Sequence, residues 1–115
     1  MPWLHWLGRR WRRTPPVTLE SSTRIRFEIA DTRRFRRLLG ALPSEIRQQA
    51  RSAYRLFREN PSHPGLRFKK VHPTDPIYSA RISLSYRAVG VLRDDEIVWF
   101  FIGSHSDYET LLRNM

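Results

Sequence analysis

Along the chain the spacing of apolar residues changes from two to about 3.6 and back again, and each change marks a change of element. From Arg24 to Ala30 they alternate, with Ile25, Phe27 and Ile29 on one side, as in a half-buried strand. From Thr32 to about Ala41 the period lengthens. Phe35, Leu38, Leu39 and Leu42 fall along one helical face, with Asp31 placed to cap it. Pro43 separates this helix from a second, for which Ser44 is the expected cap and Glu45 suits the first turn. Ile46, Ala50, Ala53, Tyr54 and Phe57 form the inner stripe of that helix, and Arg47, Arg51, Arg55 and Arg58 an outer one. The run Asn60-Pro61-Ser62-His63-Pro64-Gly65 stops it.

Alternation then returns. Leu66–Val71 reads as a short strand, followed by a proline-held loop, His72 to Pro76. Strands are expected at about 77–84, 86–92 and 96–102, with Arg93-Asp94-Asp95 as the tight turn between the last two. In the first of these, Tyr78, Ala80, Ile82 and Leu84 point to a core, while Ser79, Arg81 and Ser83 point away from it. The third is apolar on both faces and should lie inside the sheet. Asp107–Asn114 reads as a closing helix. The pattern predicts an α+β fold: two N-terminal helices on a mainly antiparallel sheet of four or five strands, with a short C-terminal helix. The domain is expected to span residues 24–115. Residues 1–23 form a Trp-, Arg- and Pro-rich extension, either a flexible tail or a basic helix that touches a membrane.

Composition narrows the partners. The chain has 115 residues, enough for one modest core, and no cysteine, which removes disulfides, thiolate zinc sites and Cys nucleophiles and is compatible with a reducing cytoplasm. No apolar run reaches the roughly 20 residues of a membrane span. Lys and Arg number 21 against 11 Asp and Glu, a net charge of +10, and only Lys69 and Lys70 among the 21 are lysine. Such a surface attracts polyanions, and arginine favours fork-shaped phosphate contacts. The residues best placed in the sequence to meet RNA are Arg51 and Arg55 on the second helix, with Arg67, Lys69 and Lys70 on the short strand. A helical arginine stripe is equally well explained as a solvated face.

The chain has no Gly-rich phosphate loop and no Gly-x-Ser-x-Gly turn. Its four histidines, His5, His63, His72 and His105, form no helical pair for a metal, and no cofactor is called for. What remains is a set of Arg, His and Tyr at the ends of the late strands. His105 suits acid or base work, Arg81 and Arg87 suit stabilisation of charge on phosphorus, and Tyr108 can hydrogen-bond or stack. Each also has a plain structural reading: His105 as a helix cap, Arg87 as an internal ion pair, Tyr108 as packing between helix and sheet.

The ordered combination of Phe35-x-x-Leu38 to Leu42-Pro43, Ala50-x-x-Ala53-Tyr54, Asn60-Pro61, Phe68-Lys69-Lys70, Tyr78-Ser79-Ala80-Arg81-Ile82, Tyr86-Arg87, Ile97-Val98-Trp99 and Gly103-Ser104-His105-Ser106-Asp107-Tyr108 resembles the RelE/ParE family of type II toxin–antitoxin toxins, its RelE-like ribonuclease branch above all. The resemblance spans about residues 24–113. It implies a microbial RNase fold and cleavage of mRNA at the ribosome by attack of the 2′-hydroxyl without a metal. It also implies a cognate antitoxin whose extended segment covers the basic groove. By position, Arg81 takes the catalytic strand slot, Arg87 the phosphate-stabilising slot, His105 the slot after the final strand, and Tyr108 that of the nearby aromatic. Where some ribonuclease members carry a lysine just before the Arg81 slot, this chain has Ser79, and Lys69 or Lys70 on the neighbouring strand is the substitute to consider. The ParE-like branch implies instead a toxin that inhibits DNA gyrase without nuclease chemistry, and a non-catalytic RNA-binding domain is a third reading.

Overall fold

The computed structural model describes residues 28–115. The extension at residues 1–23, and the start of the strand expected from Arg24, lie outside the described residues. Strand β1 (Glu28–Asp31) leads into helices α1 (Arg33–Gly40) and α2 (Ser44–Glu59), then a 3-10 turn (Pro64–Leu66). Strands β2 (Lys69–Lys70), β3 (Ile77–Arg81), β4 (Tyr86–Arg93) and β5 (Glu96–Ser104) follow, and helix α3 (His105–Arg113) closes the chain. The order across the five-stranded sheet is β1-β5-β4-β3-β2. β1 runs parallel to β5, and the other pairings are antiparallel. This is the predicted α+β architecture with its mainly antiparallel sheet.

Local chemistry explains several differences in detail. The cap of α1 is Thr32, whose Oγ1 accepts from the Phe35 backbone N–H at 3.0 Å, while Asp31 instead takes an ion pair with Arg36 at 2.5 Å. Helix α2 already includes Ser44; Pro43 precedes it without a side-chain cap, and Arg47 Nη1 donates to the Leu42 carbonyl at 2.5 Å. The strand expected at 66–71 shrinks to two residues. Leu66 is buried in the 3-10 turn, and Arg67 sits in the left-handed region at φ 47°, which breaks extended pairing. β3 stops at Arg81 because the Ile82 and Ser83 N–H groups both turn back to the Tyr86 carbonyl, so Leu84 is 79% exposed, not part of a core.

The face to which Ser79 and Arg81 belong, expected to point away from a core, carries a core of its own. α3 lies on it, and Tyr108, Leu111, Leu112 and Met115 pack with Ile77, Val89, Val91, Val98, Phe100 and Phe101. The opposite face holds a second core beneath α1 and α2, centred on Phe57, Leu66, Ala80, Ala88, Ile97, Trp99 and Ile102. β5 is buried from Glu96 to Gly103, as its apolar sequence predicts. It supplies both cores by alternation, and a bulge re-phases it partway: Val89 pairs with Phe101 but Gly90 with Trp99, leaving Phe100 as the extra residue. Phe100 and Phe101 therefore both join the α3 side, while Trp99 and Ile102 serve the other. On that second side Phe35, Leu39, Tyr54 and Phe57 border an apolar hollow of about 240 Å3, with Arg51 and Asp31 at its edge.

Candidate functional site

Antiparallel register decides which basic residues meet. Arg81 and Arg87 are direct partners across β3 and β4, and Lys69 is the partner of Ser79 on β3. Cross-strand partners leave the sheet on the same face, and residues two apart on a strand share that face. Lys69, Arg81 and Arg87 thus belong to one face, the one that carries α3. Lys70 pairs with Tyr78 and starts from the opposite face. Between Ser79 and a substitute lysine, it is Lys69 that the register brings alongside.

Two arginines opposed without a carboxylate between them raise the local potential. Each is held differently. Arg87 is half-buried, and its Nη1 donates to the carbonyls of Ser83 (2.6 Å), Tyr86 (3.0 Å) and Leu84 (3.4 Å). Those bonds fix the guanidinium against the β3–β4 turn and leave its Nε–Nη2 edge without a partner among the described residues. The Arg81 side chain is half-buried and makes no hydrogen bond or ion pair with another described residue. The internal acid considered for Arg87 is replaced by backbone carbonyls.

His105 is the first residue of α3, not a loop residue. Ser104 caps that helix through an Oγ acceptor for the Asp107 N–H at 3.1 Å, and the His105 N–H donates to the Ser85 carbonyl at 2.7 Å. The β3–β4 turn is therefore gripped from both sides, by Arg87 and by His105. The His105 side chain is 51% exposed, and its Nε2 lies 3.3 Å from Glu109 Oε2, one helical turn on. Its Nδ1 makes no hydrogen bond with another described residue. Tyr108 is buried; its hydroxyl donates to Ser79 Oγ at 3.3 Å, and its ring centroid lies 5.9 Å from that of His105. It joins helix to sheet and backs the histidine.

The remaining predicted RNA contacts divide. Lys69 and Lys70 are exposed on β2, and Arg67 is exposed just before it. Arg51 and Arg55 are exposed on α2, on the other side of the sheet, so they do not join the arginine pair. Two residues that sequence reasoning passed over have parts here. Glu109 reaches His105, and the i,i+4 spacing on a recognised helix was the signal for it. Gly103 pairs with Arg87, and a Cβ there would stand 2.8 Å from Phe101 Cζ.

A two-helix layer on one face of a mixed sheet, with a short C-terminal helix on the other, defines a class of small basic α+β proteins. A family model for the ParE-like toxin domain matches residues 44–110. The chain belongs to that toxin family. Among curated proteins none matches the sequence. Solved structures share the fold at low identity. The toxin of the RelB–RelE antitoxin–toxin complex from Methanococcus jannaschii is 17% identical, with 71% of this chain and 96% of that one covered at a TM-score of 0.60. For the RelBE2 toxin–antitoxin complex from Mycobacterium tuberculosis the values are 21%, 72%, 95% and 0.56. For the DinJ–YafQ toxin–antitoxin complex of E. coli they are 11%, 72%, 97% and 0.57.

Proposed function

We propose that this chain is the toxin of a type II toxin–antitoxin pair and that it acts in the cytoplasm as an endoribonuclease on mRNA at the ribosome. The observation that carries the reading is the direct opposition of Arg81 and Arg87, extended by Lys69 and bordered by His105. Like charges opposed across strands destabilise a sheet, and a bound phosphodiester removes that cost.

The chemistry needs no group beyond these. The RNA 2′-oxygen attacks the adjacent phosphorus, giving its proton to a base; the bond from phosphorus to the 5′-oxygen breaks, and that oxygen takes up a proton. Products are a 2′,3′-cyclic phosphate and a 5′-hydroxyl. His105 Nδ1 exchanges one of the two protons, with Glu109 holding the ring through Nε2. Arg81 and the open edge of Arg87 stabilise charge on the phosphoryl oxygens. Lys69 is the cation nearest to them in register and supplies the second proton position. Tyr108 is a positioning residue. The apolar hollow by Tyr54, edged by Arg51, suits an acidic, amphipathic antitoxin segment, and three of the solved relatives were captured as antitoxin complexes.

Induced expression without antitoxin should arrest growth and produce discrete cuts in translated mRNA, mapped by primer extension. Growth arrest with intact mRNA and accumulated DNA breaks would overturn the reading in favour of a gyrase inhibitor, which the ParE-like family match keeps as the second candidate.

A further inference from the structure

Helix α2 carries three stripes, and two of them have been accounted for: the apolar one in the core and the arginine one at residues 47, 51, 55 and 58. The third is Glu45, Gln48, Gln49, Ser52 and Leu56, at i, i+3, i+4, i+7 and i+11. In a chain with 21 Lys and Arg, none of these five residues is basic, and among the described residues the one cation that reaches them from the same helix is Arg55, whose Nη2 donates to Ser52 Oγ at 3.5 Å. The stripe does not face open solvent alone. It forms one wall of a cleft of about 500 Å3 whose other side is built from Gly65, Leu66, Arg81 and Ile82. Leu66 is buried, and Leu56 and Ile82 are half-buried, so the cleft has an apolar floor. The stretch of α2 along it is about 16 Å long at helical rise.

We propose that this cleft is a nucleotide subsite that takes one base of the RNA strand next to the scissile phosphate. Two neighbouring carboxamides present donors and acceptors side by side, the groups that read the edge of a nucleobase. Leu56 and Ile82 offer apolar surface to its ring face. Arg81 links the two sites: it lines the cleft and is also the strand partner of Arg87. A strand whose phosphate rests between the arginines can pass over the end of β3 and lay its next base against Gln48 and Gln49. The cleft then sets base preference, separately from the cutting chemistry. The identity of the ligand rests on the ribonuclease reading.

The test uses the full chain. The four nucleoside monophosphates, with inorganic phosphate as the control, are titrated against 15N-labelled protein. The side-chain amides of Gln48 and Gln49 should shift with nucleotide and not with phosphate, and one base should bind more tightly. In the Q48A/Q49A variant that base preference should fall by about tenfold, the size of a lost hydrogen-bonded contact. Alanine suits an exposed helix, so the variant keeps the fold. Cleavage of a translated mRNA by the variant should continue with its cut sites redistributed among bases. Unchanged cut sites together with no nucleotide shift at the glutamines would overturn the subsite while leaving the nuclease intact. Nucleotide shifts in a protein that cuts no RNA would support the subsite and remove the nuclease reading instead.

Discussion

His105 illustrates how the proposed role of a residue depends on its neighbours. A half-exposed imidazole at the head of a helix has little to lose structurally, so His105→Ala should fold normally and reduce RNA cleavage by about 10²- to 10⁴-fold, the usual contribution of a positioned proton carrier. Cleavage unchanged from that of the unaltered protein in both this variant and Arg81→Ala would remove both from the site. Tyr108 is the contrasting case. Its hydroxyl is buried against Ser79, so Tyr108→Phe should cost about 1 kcal/mol in chemical denaturation and change cleavage far less than His105→Ala does. A loss of rate as large as that of the histidine variant, with stability unchanged, would show that the phenol takes part in proton transfer. The sequence singled out the residue types of the proposed site, because His, Arg and Tyr at strand ends stand out from an apolar background. It could not reveal that Arg87 spends Nη1 on three carbonyls, or that Lys69 and not Lys70 joins the row. Both depend on register, which a sequence states only through its turns.

At the scale of elements, β5 is where reading by period succeeds and then fails. Its apolar character announced an interior strand, yet strict alternation would set Trp99 and Phe101 on the same face. The bulge separates them, and Gly90 makes room for it: a Cβ there would lie 2.9 Å from Trp99 Cε3 and 3.0 Å from the Val98 carbonyl oxygen. Gly90→Ala should therefore destabilise the fold by about 1–3 kcal/mol, as overpacking does, seen as a lower melting temperature. An unchanged melting temperature would mean that β4 and β5 part without cost. The expected strands at 66–71 and 77–84 were too long for a common reason. The carbonyls of Pro64 and Tyr86 accept turn bonds from Arg67, and from Ile82 and Ser83, that compete with extended pairing, and such bonds leave no mark on hydrophobic spacing.

For the molecule as a whole, positive charge is the dominant property. The affinity for RNA should fall steeply with salt, and on a log–log plot Arg81→Gln should lower the slope by about one, the signature of one lost phosphate contact. An unchanged slope would place Arg81 outside the RNA path. Charge made a polyanionic partner an expectation from composition, whereas no face of the sheet was assigned in advance to the short C-terminal helix. It covers one because Tyr108, Leu111, Leu112 and Met115 all point inward from it.

The parallel pairing of β1 with β5 bears on when such a protein becomes dangerous to the cell that makes it. The first described strand has no partner until Glu96–Trp99 has been synthesised, and α1 packs on that same late strand. At ordinary elongation rates the interval is on the order of ten seconds. Because His105 comes later still, a chain ended before Glu96 has neither a closed sheet nor the proposed site. A toxin assembled in this order stays harmless through most of its own translation, which leaves time for an antitoxin to be present before the last helix forms.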